Sequence, residues 1–344
     1  MEFEGGLSVI VITRGRPGLL RTCLESVLAA GAGPEIIIGV NGADPASAEA
    51  LASFSAVTAI ALPRMCRGEA RNALAALARG RWLCFLDDDT LVPPGYFERL
   101  AAVIKANPAA AVFGGGQALA PGAGAFESAV YALLSSPWGG GPFTERFSPV
   151  KGTRAAGPEK FILCNLTLDR EFLRARGLAF EGHLTSAEEN LLLGRMARAG
   201  ALMVLSGELN IVHKRREAFL PFIRQVFGSG RGRAQITLLS PRASSSFTLL
   251  PPAALLLAAW SVVCAPGLFA SGFAAYSAIS LAAAALSGAR PEAKPAVFAL
   301  FPALHVFYAA GWLFGALEGL FEKAAGRSKP GRCCCEGRFL GPPR

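Results

Sequence analysis

The sequence predicts an α/β chain: a mostly parallel, doubly wound sheet followed by C-terminal transmembrane helices. Three observations carry this. Short apolar runs alternate with helix-like stretches through the first 240 residues, three aspartates stand directly behind the fourth such run, and no charged residue occurs from Ala243 through Ala289, 47 positions.

The alternation starts with LSVIVIT (7–13) and a Leu/Ala-rich segment (17–30), then EIIIGV (35–40) and an Ala-rich segment (45–55). VTAIAL (57–62) precedes a third helical stretch (68–79), and WLCFLD (82–87) closes the series. Strand and helix in turn, joined by short Gly/Pro/Asn connections, wind a parallel sheet. Ligands of such sheets sit outside the carboxyl ends of the strands. That brings three loops together: Thr13–Pro17, Asn41–Asp44 and Asp87–Thr90.

The uncharged gap holds two spans of the roughly 20 apolar residues that a bilayer requires, at about 248–265 and 268–288, with Pro266 and Gly267 as the turn between them. A third uncharged run, Pro295 to Leu317, follows Arg290 and Lys294. Composition agrees: of 344 residues 52% are hydrophobic and 17% charged, and mean hydropathy is +0.40. The N-terminus, MEFEGGLSVIVIT, is not read as a signal peptide, because it has acids where a basic region belongs and its apolar run is short. The anchor is expected further along.

Cations flanking the spans set orientation. Lys214, Arg215, Arg216, Arg224, Arg231, Arg233 and Arg242 precede the first span, and Arg290 and Lys294 follow the second. The N-terminal part and the 289–294 loop are therefore expected in the cytoplasm, with the chain a multi-pass protein of the cell (inner) membrane. Were the third run to span, the basic tail with Lys323, Arg327, Lys329 and Arg332 would lie outside, against that rule; the alternative is a helix lying along or re-entering the membrane. The division expected is a catalytic domain over 1–240, a membrane region of two to three hydrophobic helices over 241–322, and a basic Cys/Gly/Pro-rich tail over 323–344.

The net charge of +9 admits nucleic acid, an anionic membrane or a phosphate-rich substrate. The cations gather at the membrane edge without interleaved aromatic residues, which excludes nucleic acid. Of eight cysteines, Cys333, Cys334 and Cys335 are adjacent in the tail, while Cys23, Cys66, Cys84, Cys164 and Cys264 show neither CxxC spacing nor a His at metal-ligand distance and read as reduced thiols.

Three stretches carry chemistry. Carboxylates packed at a strand end are costly to keep charged unless a cation meets them. Asp87 and Asp89, spaced as Asp-x-Asp, suit a divalent metal that holds a diphosphate; the plainer reading is a solvated turn capping the next helix. In LTSAEENLLLGRMARAG (184–200), Thr185 or Ser186 opens a helix whose first turn carries Glu188 and Glu189. Those acids suit a helix dipole, or one of them serves as a general base with a raised pKa. In IVHKRREAFLPFIRQVFGSGRGRAQ (211–235), His213 is a metal ligand, a substrate contact or a surface residue. The Gly228–Arg233 stretch offers mobile amides and guanidinium groups to phosphate oxygens, and the segment as a whole reads as a juxtamembrane helix meeting anionic lipid.

Together these residues resemble family 2 glycosyltransferases of GT-A fold, membrane-anchored and non-processive. LSVIVITRGRPGLLRTCLESV is similar to the family's opening strand, nucleotide loop and first helix, and RGEARNALAALARGRWLCFLDDDTLVPPGYFERL to its central stretch with the DxD motif. FILCNLTLDREFLRARGLAFEG is similar to the segment carrying Asn165, Phe180 and Glu181, and AEENLLLGRMARAG to GEDxDLxxR, in register through Arg195. The resemblance implies transfer of a sugar from a nucleotide-diphosphate donor, with Mg²⁺ or Mn²⁺ as cofactor. It places Asp87 and Asp89 on metal and diphosphate; His213 is taken as a further metal ligand on the reading of its own segment. Asp88, Thr13, Arg14 and Asn41 would line the nucleotide, Arg67 and Asn72 the sugar or uridine-like side. Glu189, preceded by Glu188, would be the catalytic base, and Arg231, Arg233 and Gln225 would face acceptor and phosphates.

Three departures stand out. Val40 replaces the usual acid after the second strand, leaving Asn41 or Asp44 to hold the base; the catalytic acid is Glu rather than Asp; and no QxxRW motif is present, which favours single-sugar transfer. The acceptor expected is lipid-linked or membrane-resident. A nucleotidyltransferase would need a basic Gly-rich loop near the N-terminus, which is lacking, and a silent membrane scaffold would tolerate loss of Asp89 or Glu189.

Overall fold

A computed structural model describes residues 3–31, 33–184, 186–241 and 245–324. Thr185, Arg242, the tail cations Arg327, Lys329 and Arg332, and Cys333–Cys335 lie outside the described residues.

The chain opens with β1 (Leu7–Thr13), α1 (Pro17–Ala29), β2 (Glu35–Asn41), α2 (Pro45–Leu51), β3 (Val57–Leu62), α3 (Arg67–Leu77) and β4 (Trp82–Asp87). β1 and β2 are apolar along almost their whole length because helices cover both faces of the sheet. Pro17 starts α1, where its missing N–H costs nothing. Leu20, Cys23, Leu24 and Val27 then recur at helical spacing and are all buried.

There follow β5 (Thr90–Leu91), α4 (Tyr96–Ala106), β6 (Ala110–Gly114), β7 (Gln117–Leu119), α5 (Ala125–Ser135), α6 (Pro137–Gly140), β8 (Thr153–Ala155), β9 (Asn165–Asp169) and α7 (Arg170–Ala175). Next come α8 (Glu188–Arg198), β10 (Leu202–Ser206), β11 (Ile211–His213) and α9 (Phe219–Leu239). The last helices are α10 (Leu250–Cys264), α11 (Pro266–Leu286) and α12 (Lys294–Ala324).

Eight strands form one sheet in the order β3-β2-β1-β4-β9-β6-β10-β8. β3, β2, β1 and β4 are parallel, as the alternation predicts; β9 runs antiparallel between β4 and β6, and β8 antiparallel to β10. One face packs Val9, Val11, Leu24, Leu86 and Phe97, the other Ile10, Phe85, Leu166, Phe180 and Leu192. A second, three-stranded sheet, β5-β11-β7, pairs Thr90 with His213 and Leu119 with His213. This small sheet is what carries His213 back to the aspartates, 124 positions earlier in the case of Asp89.

A third core joins α5, α9, α11 and α12 through Val130, Leu133, Phe222, Val226, Ala284, Val297 and Phe301. The ends of α10 and α11 fall within a few residues of the predicted spans. Three helical stretches, Ser246–Cys264, Pro266–Leu286 and Pro291–Ala324, are long and apolar enough to cross a membrane. Cys23, Cys84, Cys164 and Cys264 carry free thiols; Cys66 is disulfide-bonded and departs from the expected reduced set.

Candidate active site

The three loops expected to converge do so at the C-terminal ends of β1, β2 and β4. Asp44 caps α2 through Ser47 N at 3.2 Å and accepts from Gly15 N at 2.5 Å, tying the second loop to the first. Thr13 Oγ1 donates to Asp88 Oδ2 at 2.8 Å, tying the first to the third. Asn41 clamps Met65 with two 2.9 Å bonds, and Asn72 clamps Phe180 with bonds of 2.8 and 3.1 Å. The amides of both asparagines are thus spent on backbone, shaping the rim rather than facing a ligand. Arg14 and Arg67 are exposed.

The positive charge that meets the aspartates is protein. Arg16 reaches Asp88 at 3.0 Å and Asp89 at 2.6 Å. His213 Nε2 stands 3.0 Å from Asp89 Oδ1, and Lys214 N donates to Asp89 O at 3.2 Å. Asp87, the most exposed of the three, lies 3.5 Å from Arg71, whose other guanidinium nitrogen binds Glu188 on α8. Arg71 therefore bridges the strand-end acids to the helix acids. Burial pushes Asp88 up to about 6 despite Arg16. Burial also works to raise Asp89, but close contact with His213 and its charge, with Arg16, hold its carboxyl well below the usual range.

Asp87, Cys164 and His213 bring one donor atom each within 4.8 Å of one another. Cys164 precedes β9, whose antiparallel pairing with β4 sets Asn165 against Leu86 and so Cys164 beside Asp87. Asp88 Oδ1, Asp89 Oδ1 and His213 Nδ1 are buried without a hydrogen-bond partner; the 3.0 Å ion-pair contacts of the two carboxylates are close but poorly aligned. Buried acid oxygens left short of donors, beside an imidazole and a thiol, fit a divalent cation. A cleft of about 480 Å³ opens beside Asp89 between Leu19, Thr22, Glu127 and Lys214, a size typical of small-molecule sites.

Glu189 is buried beside Glu188, and both burial and the charge of Glu188 push its pKa up, against the pull of Arg146 and Arg233. Asn190 Nδ2 donates to Glu189 Oε1 at 2.6 Å and its Oδ1 accepts from Arg146 at 2.5 Å and Arg233 at 2.9 Å. Burial and the nearby Arg233 lower Arg146 to about 9. The two neighbouring acids are thereby sorted: Glu188 is paired by Arg71, and Glu189 stands with a raised pKa.

The start of α8 differs from the sequence expectation. Ser186 does not cap the helix but donates to Gly228 O at 2.7 Å. The N-cap is Ala187 in the left-handed region at φ 62°, alone among the described non-glycine residues. The similar family motif has Gly at this place, so this chain holds strain beside its acid pair. Ala187→Gly is expected to raise stability by about 1 kcal/mol, read as a higher midpoint in thermal unfolding.

The 228–233 stretch also differs. It is not a mobile loop but the middle of α9, where Gly230 and Gly232 permit close approach to Tyr308 O and to Ser186. Arg231 is held bidentately by Glu318 of α12 at 2.8 and 2.5 Å and so faces α12 rather than the acids. Arg233 alone of this group reaches the Glu189 cluster, and Gln225 is exposed, accepting from Arg216 at 3.1 Å. Sequence reading passed over Arg16, Arg71, Arg146, Cys164 and Asn190. Arg71 had a signal, a cation within the apolar stripe of Ala70, Leu74 and Ala78; Cys164 had none before strand pairing.

A mostly parallel sheet with an acid cluster at its strand ends, followed by a buried acid pair on a later helix, is a GT-A-like arrangement. The sequence model "Glycosyl transferase family 2" matches residues 8–124, so that stretch is similar to family 2 glycosyltransferases. The fold is shared with mannosyltransferase PcManGT from Pyrobaculum calidifontis, solved in complex with GDP-Man and Mn²⁺, at 17% identity and TM-score 0.54 over 92% of this chain and 87% of that one. Residues 1–349 of S. aureus TarS match at 14% identity and TM-score 0.49 over 93% and 92%. No curated protein sequence matches.

Proposed function

We propose that this enzyme moves a single sugar from a nucleotide-diphosphate donor to a lipid-linked or membrane-resident acceptor, inverting the anomeric centre, with Mg²⁺ or Mn²⁺ at the aspartates. The observation that supports this is the Asp87–Arg71–Glu188 bridge, which ties the residue before Glu189 to the strand-end aspartates. Asp87, Asp89, His213 and Cys164 would hold the cation, which when bound offsets the charge of the departing diphosphate as a Lewis acid. Glu189 takes the proton from the acceptor hydroxyl as its oxygen attacks the anomeric carbon. Arg146 and Arg233, through Asn190, keep that carboxylate oriented and stabilise its charged form. Thr13 and Arg16 fix the aspartate loop at the donor side.

Residues 1–240 form the catalytic part, and α10 and α11 anchor it as a hairpin through the membrane. The cations before α10 and after α11 keep the catalytic part on the cytoplasmic side.

The test is thermal unfolding of the detergent-solubilised protein with UDP, GDP, dTDP, CDP or ATP, each with and without Mg²⁺ or Mn²⁺. One diphosphate is expected to raise the midpoint only with metal, and to lose that effect in Asp89→Asn. A response to ATP alone would favour nucleotidyl transfer, and silence toward every nucleotide would sink the donor site.

A further inference from the structure

We infer that α12, apolar as it is, does not cross the membrane: it lies along the bilayer surface as a platform under the catalytic domain. The inference rests on the membrane-hairpin reading of α10 and α11 given above.

Both of its ends are held by helices outside the hairpin. Near its start, Val297 and Leu300 pack with Val130 and Leu133 of α5 and Phe222 of α9. Near its end, Glu318 is bound by both guanidinium arms of Arg231. Between them, the carbonyl of Phe227 abuts Gly311, that of Arg231 abuts Gly315, and that of Tyr308 abuts Gly230, so close that a Cβ on any of the three glycines would meet it within 2.7 Å. Phe227 also packs on Phe314, with ring centroids 5.8 Å apart. The matched steps from Phe227 to Arg231 and from Gly311 to Gly315 make α9 and α12 parallel and flush.

The opposite side of α9 is tied to the active site. Gly228 O accepts from Ser186, and Arg233 donates to Asn190 beside Glu189. A helix bearing Arg224, Gln225, Arg231 and Arg233 is too costly to place in hydrocarbon, so α9 stays at the aqueous side and α12 stays with it. Length makes the same point. Glu318 is 24 positions past Lys294, about 36 Å along a helix, and a crossing of about 30 Å would carry it to the far side. Its partner Arg231 is two residues from one that touches the catalytic cluster.

What covers the outer face of α12 is lipid. Val306, Leu317, Leu320 and Phe321 are exposed, and α10 and α11 bury only 17% and 11% of their apolar windows against 33% for α12. Exposed Arg224 stands on the adjoining helix, the sign that suits anionic headgroups. The chain beyond Ala324 is then on the catalytic side, and its basic residues obey the charge rule that a third crossing would break.

The test uses full-length protein in sealed vesicles with the catalytic domain outward. A cleavable epitope tag follows Arg344, the background carries Cys66→Ser, Cys333→Ser, Cys334→Ser and Cys335→Ser, and a membrane-impermeant maleimide reads Cys264, the exposed thiol at the α10–α11 turn. Protease is expected to remove the tag without detergent, while Cys264 labels only after detergent. A tag protected until detergent, with Cys264 also protected, means that α12 crosses, and overturns the inference. Labelling of Cys264 in sealed vesicles means instead that the hairpin does not cross; the anchoring reading then fails, and this inference with it.

Discussion

Glu189→Gln is expected to lower kcat by about 10²–10⁴-fold, the usual worth of a positioned general base, with donor affinity little changed. The amide keeps the shape and can still accept from Asn190 Nδ2, so the fold should hold. The wild-type pH profile provides a second reading. Burial and Glu188 raise the pKa of Glu189; the base works only when deprotonated, so kcat should fall as pH drops through a value above the ordinary glutamate range. That limb should vanish in Glu189→Gln. Glu189→Asp, one methylene shorter, should retain the limb at a reduced rate. A Gln variant with normal turnover would remove Glu189 from the chemistry altogether. Glu188→Gln is a different lesion, since it frees Arg71 and disturbs Asp87 instead.

Asp87→Asn is expected to cost two to three orders of magnitude in kcat/KM, the scale of losing one preorganised electrostatic contact to the reacting groups. It should also abolish metal-dependent thermal stabilisation by the donor diphosphate. Arg71 retains Glu188 in this variant, so unfolding without ligand should be nearly unaltered. His213→Ala should weaken the same metal response through the same cluster. Full metal-dependent stabilisation in Asp87→Asn would place the cation elsewhere among these acids.

Much of the donor side was legible because it is local. β1 to β4 read directly from apolar runs, since strands covered on both faces need no polar alternation. Asp87–Asp89 stood out because three adjacent carboxylates demand a partner. The partners did not stand out. Arg16 looked like an ordinary helix-start residue, and Arg71 like one cation in an Ala-rich helix. His213 was noticed but its role stayed open, because only the pairing of β11 with β5 sets it against the aspartates.

The acid pair was legible as a motif, but the division of labour within it was not. Adjacent glutamates on a helix are equivalent until something approaches one of them; here Arg71 claims Glu188 and the Arg146–Asn190–Arg233 group surrounds Glu189. The glycines of 228–233 misled for a related reason. In isolation they suggest a loosened backbone, whereas α12 lies against α9 and their missing side chains are what allow it.

The sequence by itself determined the sheet, the acids at its edge, the apolar C-terminal hairpin and the class of chemistry, because these follow from periodicity, charge and hydropathy within short windows. The tertiary structure alone decided which cation faces which carboxylate, which of the two glutamates Arg71 pairs, and that α12 lies against α9. Each of those depends on residues brought together from distant parts of the chain, and no local pattern encodes the distance between them.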